Sequence, residues 1–237
     1  MVEGHAIRIH EHGGPDVLKL EKAVFDEPGA GEVLVQQSAI GLNFIDTYIR
    51  TGLYPSKLPT IPGFEGAGVV AAVGEGVTSL KVGDRVAYPA MKSTYATHVT
   101  GPADRMVKIP DGVSEDAAAA IMMKAMTAWM LLFEIKRVMP GDKVLVWAAA
   151  GGVGTILVPW AKALGAEVIG VVSTEDKAQR VLANGADAVI LSSTDVAAEV
   201  RALTGGKGVD ISLDGVGRDS ADASLKSLRP RGLFVTY

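Results

Sequence analysis

The 237 residues, 48% hydrophobic and 21% charged, describe a globular chain able to bury a real core and exclude a disordered or fibrous one. With 23 basic against 27 acidic residues, the net charge of -4 argues against a general binder of nucleic acids or anionic membranes. The absence of cysteine removes disulfides, thiol catalysis, iron–sulfur clusters and every thiolate zinc site, and makes a reducing cytoplasm the simplest location.

Met1 to Gly14 contains no apolar run of signal-peptide length, so export by such a signal is not expected. Residues 1 to about 110 then read as short strands at Ala6 to His10, Glu32 to Ser38, Gly68 to Val73, Arg85 to Tyr88, Tyr95 to Val99 and Met106 to Ile109. Closely spaced glycine and proline turns between them fit an all-β or barrel-like unit. At Ser114-Glu115-Asp116 the texture changes to a capped, alanine-rich helix reaching about Lys136, the natural place for a domain boundary.

Strands and helices alternate from there. Lys143 to Trp147, Glu167 to Val172, Ala188 to Leu191, Val209 to Leu213 and Leu233 to Tyr237 are apolar enough for strands buried on both faces. Helices fit at Gly152 to Leu164, Glu175 to Asn184, Val196 to Thr204 and Ala221 to Leu228, and the order implies a doubly wound parallel sheet of nucleotide-binding type. Ala117 to Phe133 and Val144 to Ala161 are apolar enough to need a membrane check, but the second is split by the turn Ala148 to Gly154, and no membrane span is expected.

That turn is the most informative motif. Ala149-Ala150-Gly151-Gly152-Val153-Gly154 has the spacing of the dinucleotide fingerprint with alanine at its first glycine position, between a strand and a helix. Glycine there lets backbone amides approach a pyrophosphate at the helix N-terminus; the bland alternative is a tight strand-to-helix turn. Pro159 falls inside the helix that follows and removes one backbone donor. At the end of the second strand, where NAD-preferring proteins present an acid, the chain has Ser173 and Thr174, with Lys177 and Arg180 on one helical face to meet a 2′-phosphate. NADPH is therefore favoured over NADH, although Glu175 and Asp176 weigh the other way unless they serve the helix N-terminus.

The segment Gly41 to Tyr54, the run from Gly68 through Val82-Gly83-Asp84-Arg85, the glycine turn to Lys162 and Asp214-Gly215-Val216-Gly217 together resemble the zinc-independent NADPH:quinone oxidoreductases, with zeta-crystallin, of the medium-chain dehydrogenase/reductase superfamily. Pro159 departs from the pattern, where glutamine is usual. Zinc-dependent members carry Gly-His-Glu and cysteine ligands, whereas this chain reads Gly63-Phe64-Glu65, so no metal is expected; His10 and His12, read on one strand side, do not replace it.

The resemblance implies a GroES-like β-barrel domain at residues 1–124 without its C-terminal return segment, and a Rossmann NADP-binding domain at 125–237 without its last strand. It places NADPH between the domains, with Asn43 and Thr127 on the nicotinamide side, Gly151, Gly152, Val153 and Gly154 at the pyrophosphate, Ser173, Thr174 and Lys177 at the adenosine phosphate, and Val216 near the cofactor. Tyr48 and Tyr54 would line the quinone cleft, with Tyr54 the candidate donor to the oxygen that gains charge. A quinone or related acceptor, a homodimer for a full-length chain, and no membrane or nucleic-acid partner complete the expectation. A reductase of alkenals or enoyl thioesters on the same scaffold, and a non-catalytic crystallin-like or RNA-binding protein, remain alternatives.

Overall fold

The computed structural model describes residues 1–237, which divide into two compact units, Met1–Met123 and Lys124–Tyr237. In the first, β1 (Val2–Arg8) and β2 (Lys19–Phe25) form an antiparallel ribbon with Val2 opposite Phe25. The strands β3 (Glu32–Ile40), β4 (Gly66–Val73), β5 (Arg85–Tyr88), β6 (His98–Pro102) and β7 (Val107–Lys108) make an antiparallel sheet in the order β6-β3-β4-β5-β7. Val33, Val35, Val70, Val86 and Tyr88 pack its core with Met91 and Met106. Between β3 and β4 lies α1 (Phe44–Thr51).

Three differences from the sequence reading have physical causes. The strand β2 was not expected because Lys19, Glu21 and Lys22 run along it while Leu20 and Val24 stay exposed, so no buried face imposes an alternation. The strand β6 starts at His98 rather than Tyr95, since the chain before it bonds to β1 instead: the Tyr95 carbonyl accepts the Ile7 N–H at 2.7 Å, the Thr97 N–H donates to the His5 carbonyl at 2.8 Å, and the Gln37 side-chain amide caps the Thr94 and Ala96 carbonyls at 2.8 and 2.6 Å. The helix expected from Ser114 to Lys136 is α2 (Glu115–Trp129) followed by a π-helical turn, Met130–Ile135. The smaller rotation per residue of that turn carries the consecutive Leu131 and Leu132 into the core together. By length and composition alone, the 21-residue run Glu115–Ile135 could cross a membrane.

The second unit is a parallel sheet of β8 (Lys143–Trp147), β9 (Glu167–Val172), β10 (Ala188–Leu191), β11 (Val209–Asp214) and β12 (Leu228–Thr236) in the order β10-β9-β8-β11-β12. The period-two pattern of β8 sends Val144 and Val146 to one core with α3 (Gly154–Ala163) and α4 (Glu175–Ala183). Leu145 and Trp147 go to the other, with α5 (Val196–Leu203) and Ala223 of α6 (Ala221–Ser227). Burial on both faces fails at β12, where only Val235 is fully buried, because this strand is an edge. It also begins five residues earlier than read: Leu228 pairs with Val209, the register shifts, and Leu233 pairs with Ile211. Pro230 and the left-handed Arg231 (φ 64°) sit in that irregularity.

Candidate functional site

Strand β8 delivers the chain into the glycine turn, and α3 leaves from it. The left-handed residue is Ala148 (φ 50°), one before the position read as the first glycine, and its carbonyl accepts the Gly151 N–H at 2.7 Å. Gly154 is sterically required, for a Cβ would lie 2.5 Å from the Ala149 carbonyl oxygen and 2.6 Å from that of Ala148. At Gly152 the atoms nearest to a Cβ would be those of the Lys124 side chain, at 3.1 Å. The backbone amides of Gly152 and Val153 thus stand at the start of a helix with no side chain of their own turn in front of Gly152, a cradle suited to an oxyanion.

The end of β9 gathers a second group. The Lys177 ammonium donates to Ser173 Oγ at 2.9 Å, and the Thr174 hydroxyl caps α4 by accepting the Lys177 N–H at 3.4 Å. Arg180, expected beside Lys177, instead stands 3.6 Å from Asp176 on the solvent side and lines, with Ala150, Thr155 and Asn184, a cavity of about 370 Å³. The structure therefore joins Ser173, Thr174 and Lys177, while Arg180 lies beside Asp176.

Val216 is half exposed on a loop held by a residue that sequence reasoning passed over. The buried Asp214 carboxylate accepts the N–H groups of Val216 (2.9 Å) and Gly217 (3.0 Å) and the hydroxyls of Ser220 (2.7 Å) and Ser224 (2.5 Å). The Tyr237 ring lies 3.1 Å from the place of a Gly215 Cβ, and burial, with Asp214 nearby, pushes its hydroxyl up to about 12. An acid ending an apolar strand just before Gly-Val-Gly was the available signal for Asp214.

In the first unit, Asn43 opens α1. Its N–H donates to Asp46 Oδ2 at 2.8 Å, its side-chain amide donates to Glu65 Oε1 at 2.7 Å, and Gly52 (φ 79°) closes the helix. Glu65 is fully buried, and its other oxygen accepts the Met123 N–H at 2.7 Å. Burial raises the Asp46 carboxyl, opposed by the Asn43 N–H and the Tyr95 hydroxyl at 2.9 Å. Tyr48 and Tyr54 come together, ring centroids 5.3 Å apart, and Phe44 adds its edge to Tyr48 at 5.8 Å. Phe44 is 77% exposed and was missed; its spacing of four from Tyr48, behind the Asn43 cap, was legible as one helical face. Thr127 lies half buried on α2 in the second unit.

No three metal-ligating side chains converge. The strand β1 ends at Arg8, so His10 and His12 do not share a strand side as read, and His10 Nε2 lies 2.6 Å from Glu21. A cavity of about 440 Å³ along β1 and β3, lined by Ile7, Leu20, Ala39, Leu42 and Tyr95 among others, contains none of the residues assigned from the sequence.

Residues 29–111 match the alcohol dehydrogenase GroES-like domain family, and residues 152–237 the zinc-binding dehydrogenase family. The chain is 45% identical to a 2-haloacrylate reductase of a Burkholderia species over 97% of this chain and 71% of that protein. It is 45% identical to a quinone oxidoreductase of Salmonella typhimurium over 98% of this chain and 72% of that one. The crystal structure of Escherichia coli quinone oxidoreductase complexed with NADPH superimposes with a TM-score of 0.94 at 43% identity, covering 98% of this chain and 72% of that chain. With the glycine turn, the lysine–serine pair at the end of β9 and no cysteine for a zinc site, the chain belongs to the quinone oxidoreductase family of the medium-chain dehydrogenase/reductase superfamily.

Proposed function

We propose that this chain is an NADPH-dependent oxidoreductase that reduces a quinone. The observation that carries the reading is the pairing, within one unit, of a glycine turn at the start of α3 with a lysine and hydroxyl cluster at the end of β9. The first suits a pyrophosphate and the second the extra phosphate that distinguishes NADPH from NADH. NADPH supplies a hydride when bound.

The chain's own residues do the rest. The amides of Gly152 and Val153, with Gly151 and Gly154 shaping the turn, hold the pyrophosphate; Ser173, Thr174 and Lys177 take the 2′-phosphate. Val216, fixed through Asp214, and Asn43 and Thr127 keep the cofactor-side roles that the resemblance implies. Tyr48 and Tyr54 present ring faces to a flat acceptor, and a phenol hydroxyl donates to the oxygen that gains charge, where Tyr54 at 48% exposure is the more accessible. A cytoplasmic location, and a homodimer for a full-length chain, belong to the same reading.

A second reading is favoured by the similarity to the 2-haloacrylate reductase: reduction of an activated carbon–carbon double bond with the same cofactor. Oxidation of NADPH and NADH by a panel of quinones, run beside 2-haloacrylates and 2-alkenals, tests both. Faster turnover of quinones with NADPH supports the proposal; turnover of the alkenes alone replaces it with the second reading, and no oxidation by any acceptor refutes both.

A further inference from the structure

Helix α3 runs unbroken through Pro159, which has no N–H to give to the carbonyl four residues back, that of Thr155. The carbonyl is nonetheless served. Asn184, at the far end of α4, donates its side-chain amide to the Thr155 oxygen at 2.8 Å. Asparagine at a helix C-terminus commonly supplies a left-handed residue, but here φ of Asn184 is −83° and Gly185 takes the left-handed position at φ 104°. The backbone therefore gives no reason for the amide, and the Thr155 carbonyl does. The cavity shared by Thr155, Arg180 and Asn184 lies beside the bond, so apolar packing does not fill the joint there.

Thr155 is the first residue past the glycine turn. Its N–H donates to the Gly151 carbonyl at 2.9 Å and its hydroxyl to that of Gly152 at 3.0 Å. We infer that Asn184 is a positioning residue for the cofactor: by replacing the bond that Pro159 deletes, it splints the first turn of α3 to α4. The two phosphate-binding groups, the turn at Gly152 and Lys177 on α4, then move as one piece. This inference rests on the NADPH reading above, and the consequence is selective: a ligand that engages both places feels the splint more than one that engages the turn alone.

The test is a double-mutant cycle of Asn184→Ala with Pro159→Gln, which returns a backbone N–H to the Thr155 carbonyl. With Pro159 in place, Asn184→Ala should weaken NADPH binding about fivefold, NADH less, and speed amide exchange at Leu157 and Val158 in the cofactor-free protein. In the Pro159→Gln background the same substitution should cost less than about twofold and leave exchange unchanged. Asn184→Asp, which keeps the shape and loses the donor, should follow Asn184→Ala, and serves if the alanine variant does not fold. Equal losses in both backgrounds, or none with Pro159, overturn the inference. If the wild-type chain does not bind NADPH, the proposed function fails and the positioning role with it, while the exchange arm still reports whether Asn184 and Pro159 are coupled.

Discussion

Lys177 is the residue on which the proposed nucleotide preference turns. Its ammonium donates to the neutral Ser173 Oγ, so the pair can accept a phosphate by exchanging one hydrogen bond for several. Lys177→Ala should weaken NADPH binding about tenfold and leave NADH nearly unchanged, as titration by fluorescence would measure; equal losses for both would move the 2′-phosphate site elsewhere. Arg180 should matter less than its helical spacing promised, since it faces Asp176 and the cavity near Asn184. The glycines separate in the same way. At Gly152→Val the nearest atoms to the new Cβ belong to the flexible Lys124 side chain, so the variant should fold and lose affinity for both nucleotides together. Gly154→Ala forces a Cβ against two backbone carbonyls and should lower the melting temperature whether or not nucleotide is present. A folded Gly152→Val protein that titrates like wild type would place the pyrophosphate elsewhere.

At the scale of elements, the parallel sheet is tied at the N-terminal ends of its strands by carboxylates whose titration is readable. Burial alone would raise Asp187, but the Lys162 ammonium at 2.7 Å and the Val168 N–H at 2.6 Å outweigh it and hold the carboxyl below its ordinary 3.8. Asp210 behaves likewise through the Lys143 N–H at 2.7 Å and Arg229 at 2.6 Å. A depressed carboxylate contributes stability that is full above its unfolded value and is lost as pH falls through the folded one, so the second unit should weaken as pH drops below 3.8. Urea melts of Asp187→Asn and Asp210→Asn should show a flatter acid limb; an unchanged limb would assign the loss to other groups. These elements were largely legible beforehand, because β8, β9 and β11 are apolar runs bounded by glycine turns, each buried between two layers. What escaped lacks a one-dimensional signature: β2 has no buried face, the π turn at Met130–Ile135 has no motif, and the Gln37 and Asn184 amides act on carbonyls far away in the chain. The residues proposed for the cofactor stand out as candidates because a glycine turn and a lysine four residues after a serine are local patterns, whereas the equally local signals at Asp214 and Phe44, an acid before Gly-Val-Gly and an aromatic four residues before Tyr48, name no role until their partners are placed.

For the molecule as a whole, the division into two units with separate cores sets how it should melt. Val35 and Tyr88 pack within the antiparallel unit, and Leu145 packs within the parallel one among Ile169, Val171 and Val200. Leu145 is fully buried, so Leu145→Ala should cost about 2–5 kcal/mol, and Val35→Ala a smaller amount of the same kind. With independent cores, each substitution lowers its own calorimetric transition and leaves the other in place. Ligand linkage then identifies the unit that carries the phosphates. NADPH at about one hundred times its dissociation constant adds about 2.7 kcal/mol, enough to restore roughly half or more of the Leu145→Ala loss. That recovery should appear in the transition lowered by Leu145→Ala, since the glycine turn and Lys177 both belong to the parallel unit. One transition shifted equally by both substitutions would mean a single cooperative body, and NADPH raising only the transition lowered by Val35→Ala would overturn the assignment of the phosphate site to the second unit.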